Sequence, residues 1–172
     1  FLSRLEKAKG IYDAINAFAI LKKNYRNLTL NIVGDGSEYL NISRFIENNN
    51  INDVYLMGYL RNGEKADIFN NSRIFIFPSY NEGMPNSVLE AMAFGLPIVG
   101  YYAGGLKDFF ENGKMGFLSN DKSIDFLESK IDYLLSSPEE YLKISLYNHE
   151  FAKRNFLSSV VAKRLQNIFH TC

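Results

Sequence analysis

The sequence predicts an α/β fold in which a parallel sheet carries helices on both faces. Two observations carry this expectation. Short apolar runs of strand composition alternate with longer amphipathic stretches of helical period along most of the chain, the order that yields parallel strands joined by crossover helices. The apolar runs also give way to Gly, Pro or a polar loop before the next helical stretch. The residues most exposed to a ligand therefore collect at the carboxyl ends of the strands, where such sheets bind.

The elements follow in order. After Phe1-Leu2, the polar loop Ser3-Arg4-Leu5-Glu6-Lys7-Ala8-Lys9-Gly10 leads into a helix over about 11–23, with Ile15, Phe18, Ala19 and Leu21 on its apolar side. A strand over 28–33 turns at Gly34-Asp35-Gly36 into a helix over 37–48. A third strand, 54–57, passes through Gly58-Tyr59-Leu60 to a helix over 63–71. The fourth, Ile74-Phe75-Ile76-Phe77, has the length and composition of a buried strand, and Pro78 stops it because proline cannot continue the ladder. Pro85 and Asn86 then open a helix with Val88, Leu89, Met92 and Ala93 at helical spacing, closed by Gly95 and Pro97. A fifth strand over 97–100, a helical turn after Ala103-Gly104-Gly105 and a short last strand ending at Leu118 complete the sheet. Helices over 124–135, 139–155 and 158–170 form the tail.

Composition narrows the function. The 172 residues make one domain, long enough to bury roughly two-thirds of its unfolded surface. Lys plus Arg and Asp plus Glu balance at 19 each, so no global field gathers nucleic acid or an anionic membrane, and no nucleic-acid partner is expected. The single cysteine, Cys172, has no intrachain partner, which excludes a disulfide framework and fits a reducing, cytoplasmic compartment. No apolar run approaches the roughly 20 residues that span a bilayer, and the opening residues do not read as a signal peptide. Without an initiator Met, Phe1-Leu2-Ser3-Arg4-Leu5 reads as the end of a strand already in progress, so a fragment cut at a domain boundary is expected.

The chemistry concentrates between Arg73 and Leu118. At the strand–loop–helix junction around Pro85, free backbone N–H groups at the helix start converge on one point and stabilise an anion, phosphate above all, without any side chain. Glu82 lies in the loop and Glu90 eight residues later in the early turns of the helix. Carboxylates repel phosphate, so both read as acceptors for hydroxyl groups beside an anion held by the backbone, as a sugar would supply. The glycines at 104 and 105 let the backbone approach a ligand closely, or serve simple turn chemistry. No Cys or His pair has metal-ligand spacing and no Asp-x-Asp occurs. His149 and His170 are far apart in the sequence, have no acidic or nucleophilic neighbours arranged for a triad, and receive no role.

The run Pro78-Ser79, Glu82-Gly83-Met84-Pro85-Asn86, Leu89-Glu90-Ala91-Met92-Ala93 and Gly95-Leu96-Pro97, extended by Gly104-Gly105 and Gly113-Lys114-Met115-Gly116, resembles the signature of the GT4-type, or group 1, retaining glycosyltransferases of GT-B fold. The resemblance runs through nearly the whole chain but matches only the C-terminal half of such an enzyme. It implies a Rossmann-like domain over 1–172 that binds a nucleotide-sugar, a UDP-sugar in expectation, with the N-terminal acceptor domain absent from this chain. It further implies a metal-independent hexosyl transfer with retention of configuration, in cell-surface polysaccharide synthesis, without a cofactor. The isolated fragment is then expected to be inactive. The setting it implies is cytoplasmic, with room for peripheral association with the inner face of the cell membrane through the acceptor half.

Residue by residue, the resemblance puts Arg4 and Lys9 on the donor's diphosphate and Glu82 on its sugar, as the catalytic set. Gly83, Met84, Asn86 and Ser87 would supply backbone donors to the diphosphate and Glu90 would take the ribose hydroxyls. Tyr59 and Leu60 stand where family members read the base, Gly34 borders the nucleotide, and Gly104 lines the same site. Lys65, in the first turn of the helix that follows Leu60, is placed to approach the donor as well. Read alone, Arg4 and Lys9 are two solvated charges on a loop, Gly34-Asp35-Gly36 is a tight turn, Lys65 is a surface lysine, and Glu90 is a carboxylate favoured by the helix dipole. Departures from the pattern are Ser3 for Gly, Arg73 for Asp, and Tyr101 and Tyr102 for small or polar residues. Two other readings remain. A non-catalytic nucleotide-sugar-binding module has the same residues; a Rossmann-type oxidoreductase lacks its third glycine after Gly36 and its acidic residue after the next strand. Finally, Lys153, Arg154, Lys163 and Arg164 interleave with Phe156, Val160, Val161 and Leu165, a pattern of a membrane-surface helix or, more commonly, of a basic face over a packing face.

Overall fold

The computed structural model describes residues 1–170, with Thr171 and Cys172 outside it. The side chains of Arg164, Leu165 and 167–170 also fall outside, so the expectations for Cys172, His170 and the Arg164–Leu165 part of the basic pattern lie beyond the described residues.

A 3₁₀ turn, Lys7–Lys9, leads into α1, Ile11–Leu21. Strand β1, Leu30–Val33, is followed by α2, Tyr39–Asn48; β2, Val54–Gly58, by α3, Asn62–Asn70; and β3, Phe75–Phe77, by α4, Asn86–Ala93. Strand β4, Ile98–Tyr101, a 3₁₀ turn at Gly104–Asp108 and β5, Gly116–Ser119, complete the strands. Helices α5, Ile124–Ser136, α6, Pro138–Asn155, and α7, Ser158–His170, form the tail. Every expected element is present, with ends shifted by one or two residues. One such shift matters: Tyr101, expected beyond the fifth strand, closes β4 and is wholly buried.

All pairings are parallel: β1 with β2, and β3 with β4 with β5. The opening residues lie along the other edge of β1, where Ser3 N donates to Val33 O and Val33 N to Phe1 O. A cavity of about 290 Å³, lined by Phe1, Leu2, Leu30, Phe75 and Ile76 among others, separates this edge from β3.

The continuous apolar runs of β3 and β4 are explained by burial on both faces. Ile76, Val99 and Tyr101 join Ile11, Ile15, Phe18, Leu127 and Ile131 of α1 and α5 in one core. Their alternate neighbours Phe75, Phe77 and Ile98 join Val88, Met92 and Ala152 of α4 and α6 in a second. Helices therefore cover both sides of the sheet, in a Rossmann-like α/β arrangement. Arg73, one of the departures, stacks its guanidinium 4.8 Å from the ring of Tyr141 on α6. His149 meets the free carbonyl of Ala93 at 2.7 Å, closing the carboxyl end of α4. Among the described residues no helix is long and apolar enough to cross a membrane.

Candidate functional site at the switch point of the sheet

From the opening segment the chain moves outward through β1 and β2, then crosses back to build β3, β4 and β5 on the other side. The reversal lies between the opening segment and β3, and open α/β sheets bind ligands beyond the carboxyl ends at that point. Two loops meet there, residues 4–10 and 78–85. Tyr80 N donates to Ala8 O at 2.9 Å, which ties them backbone to backbone.

An ion pair locks the same junction. Lys9 Nζ is 2.8 Å from Glu82 Oε1, with only 12% and 16% of the two side chains exposed. The ammonium also reaches Asn81 O at 3.3 Å, and Ser79, buried beneath, donates its hydroxyl to Glu82 Oε1 at 2.8 Å. Charge-assisted hydrogen bonds of this kind fix a carboxylate's position.

Next to Glu82 lies a set of unused donors. The N–H groups of Gly83, Met84, Asn86 and Ser87 have no hydrogen-bond partner among the described residues, and Pro85, which precedes α4, offers no side-chain cap. Orphan donors of the first turn, reinforced by the helix dipole, form an anion-binding mouth. Gly104 supports this loop from behind. Its φ is 57°, and a Cβ there would come within 1.9 Å of Gly83 O, while Gly105 N donates to that same carbonyl at 2.8 Å. Only glycine fits so close an approach at positive φ.

A second pair stands apart. Lys65 on α3 places Nζ 2.8 Å from Glu90 Oε1 and 2.8 Å from Glu90 Oε2 on α4. The sequence offers Lys65 as a surface lysine or as a residue near the donor, and nothing in the local pattern announces a partner 25 positions away.

The remaining expected residues do not touch these groups. Arg4 is largely exposed and pairs with Glu6 at 3.2 Å rather than with Lys9 or Glu82. At Gly34 the space a side chain would fill belongs to Ser3 O, 1.8 Å from the would-be Cβ, and Gly34 N donates to Gly58 O. Tyr59 is 69% exposed beyond β2, with the Arg61 guanidinium 5.6 Å from its ring centre, and Leu60 is half-buried.

Sequence reasoning missed one cluster. Asp13 Oδ2 accepts from Tyr80 OH at 2.6 Å and from Tyr101 OH at 3.1 Å, while the two rings stack 6.1 Å apart. Lys122 Nζ lies 4.6 Å from the centre of the Tyr80 ring. Burial, the hydrogen bond to Asp13 and its charge push the Tyr80 hydroxyl up to about 12. Burial first, then the Asp13 charge and hydrogen bond, push Tyr101 higher still. The available signal was an aspartate in the first turn of a largely apolar helix together with the bulk at Tyr101.

Comparison with known proteins gives a consistent result. A family model described as glycosyl transferases group 1 matches residues 1–151. An uncharacterized glycosyltransferase of Haemophilus influenzae is 34% identical over 139 residues, covering 80% of this chain and 39% of that protein. The capsular polysaccharide biosynthesis glycosyltransferase CapM of Staphylococcus aureus is 25% identical over 179 residues, covering 99% of this chain and 45% of its own length. The chain thus spans less than half the length of these curated relatives. Among solved structures, Anabaena HepE in complex with UDP superposes with a TM-score of 0.87 at 21% identity, over 99% of this chain and 48% of that one. At that identity the likeness speaks for the fold, the GT-B architecture.

Proposed function

The chain belongs to the group 1 glycosyl transferases, and we propose that it is the donor-binding part of a retaining enzyme of that family. The substrate is a nucleotide-sugar, a UDP-sugar, and the acceptor a glycan or lipid-linked glycan in cell-surface polysaccharide synthesis. An N-terminal acceptor domain of the same protein completes the enzyme, which works in the cytoplasm and associates peripherally with the inner face of the membrane through that domain.

One observation carries this reading: the Lys9–Glu82 pair stands beside four unpartnered N–H groups at the switch point of the sheet. The amides of Gly83, Met84, Asn86 and Ser87 hold the diphosphate, and the Lys9 ammonium lies close enough to offset the charge that grows on the leaving nucleoside diphosphate. Preorganised donors of this kind commonly supply most of an enzyme's rate enhancement. Arg4 joins by turning from Glu6, its exposed partner. In this reading the donors and cations supply the positive charge and no metal is needed. Glu82 accepts from the sugar hydroxyls, Glu90 from the ribose, and the Tyr59–Leu60 backbone meets the base, with Gly34 and Gly104 bounding the nucleotide. The acceptor hydroxyl attacks on the face the leaving group departs from, so the anomeric configuration is retained.

The test uses the intact protein. Glu82→Ala is expected to lower transfer from a UDP-sugar by about 100-fold or more while UDP still binds. The isolated chain should bind UDP weakly and transfer nothing. UDP binding without transfer in the intact protein would favour a nucleotide-sugar-binding module, and transfer indifferent to Glu82→Ala would remove Glu82 from the catalytic set.

A further inference from the structure

We propose that Lys65 is a positioning residue that shapes Glu90 into an acceptor for both hydroxyls of a ribose, and so makes the site select ribonucleotides over 2′-deoxyribonucleotides. The inference rests on the donor-site reading above and adds a residue and a selectivity to it.

Three features of the pair carry it. First, a single ammonium contacts both oxygens of Glu90, each at 2.8 Å. An ionised carboxylate has about four lone-pair sites. Lys65 occupies one on each oxygen, which fixes the plane of the group and leaves one on each free for a vicinal diol. Second, the pair is open to a ligand: 29% of the Lys65 side chain and 39% of that of Glu90 remain exposed. Third, the charge balance requires a cation here. Glu90 sits in the first turns of α4, whose amino end carries the unpartnered N–H groups, so an uncompensated carboxylate would repel the anion those groups attract. Lys65 cancels that repulsion and still leaves one acceptor site on each oxygen free.

Lys65 is well placed to couple two parts of a nucleotide. It lies in the first turn of α3, directly after the Tyr59–Leu60 loop, and its contact with Glu90 joins the crossover that follows β2 to the one that follows β3. A merely structural bridge between two half-exposed helices would add little to stability and would be blind to the sugar of a bound nucleotide.

The experiment measures, by calorimetry on the intact protein, the affinities of UDP and 2′-deoxy-UDP for the wild type, Lys65→Met and Lys65→Arg. The wild type should prefer UDP by about tenfold, the scale of one hydrogen bond to a charged acceptor. Lys65→Met should weaken both ligands through the uncancelled Glu90 charge, but UDP by a further factor of about ten, bringing the ratio close to one, with an unaltered Tm. Lys65→Arg should keep part of the preference. A wild-type ratio near one, a ratio that survives Lys65→Met, or an equal loss for both ligands would overturn the inference while leaving the donor site standing. Failure of the wild type to bind UDP at all would overturn the UDP-donor reading, and this inference with it.

Discussion

Lys9 Nζ rests 2.8 Å from Glu82 Oε1, so the cation assigned to the diphosphate and the carboxylate assigned to the sugar are one unit before any ligand arrives. Removing either partner exposes the other, and the two removals have opposite consequences for an incoming anion.

Glu82→Gln leaves the Lys9 ammonium without its counter-charge, and UDP affinity should be retained or rise while turnover falls by about 100-fold. Lys9→Met leaves a shielded carboxylate facing the diphosphate, so both affinity and turnover should fall, affinity by about tenfold or more. Calorimetry with UDP together with kcat on the intact protein checks this. Equal losses of affinity in the two variants would contradict the arrangement.

Gly104→Ala forces a Cβ to within 1.9 Å of Gly83 O at φ 57°. The loop carrying Glu82 and the unpartnered amides must then move, and UDP binding should be lost with a stability cost of about 1–3 kcal/mol. Gly63→Ala is the control. It lies in α3 with open space around its would-be Cβ, and should be neutral or gain about 0.4–1 kcal/mol.

Asn148 on α6 is wholly buried and donates from Nδ2 to Leu96 O at 2.8 Å and to Met115 O at 2.9 Å, while its Oδ1 has no partner among the described residues. Asn148→Leu strands the Leu96 carbonyl and takes one of two donors from that of Met115, which keeps Ile98 N at 3.1 Å, partly offset by removal of the orphan oxygen. The net cost is about 2 kcal/mol, which for a domain of this size lowers Tm by about 4–8 °C. Nucleotide affinity should not change.

The tyrosines beside Asp13 give the fold an alkaline limit. The Tyr80 hydroxyl titrates near 12 in the fold against an ordinary value of 10.0, because burial and Asp13 favour its protonated form. A pKa raised by folding contributes stability that is complete below the unfolded value and is lost as pH climbs through the folded one. Tm should therefore fall between about pH 10 and 12, and Tyr80→Phe should flatten that fall. Some slope should remain, since Tyr12 and Tyr101 are raised as well.

The parts of this protein legible in its sequence are those governed by local rules. Pro78 ends β3, Pro85 and Asn86 start α4, and the apolar run of β3 announces burial on both faces, because each is decided by neighbouring residues. What escaped is set by partners far along the chain. Tyr101 reads as a departure from the family pattern just beyond its strand but is drawn into β4, where its hydroxyl finds Asp13, 88 positions away. Lys65 reads as a surface lysine until α3 and α4 come together around Glu90. Arg4 shows the reverse: its place in the motif says nothing of its side chain, which follows Glu6 two residues on.

Three basic groups around this mouth are already matched to acids: Arg4 to Glu6, Lys9 to Glu82 and Lys65 to Glu90. With a formal net charge of zero as well, the crevice projects almost no long-range field into solution. A dianionic metabolite is therefore met by diffusion alone and recognised only at contact, when it trades places with the internal partners. Its capture rate should barely respond to ionic strength, whereas its residence time, set by short-range exchange of ion pairs, is where evolution or engineering would act.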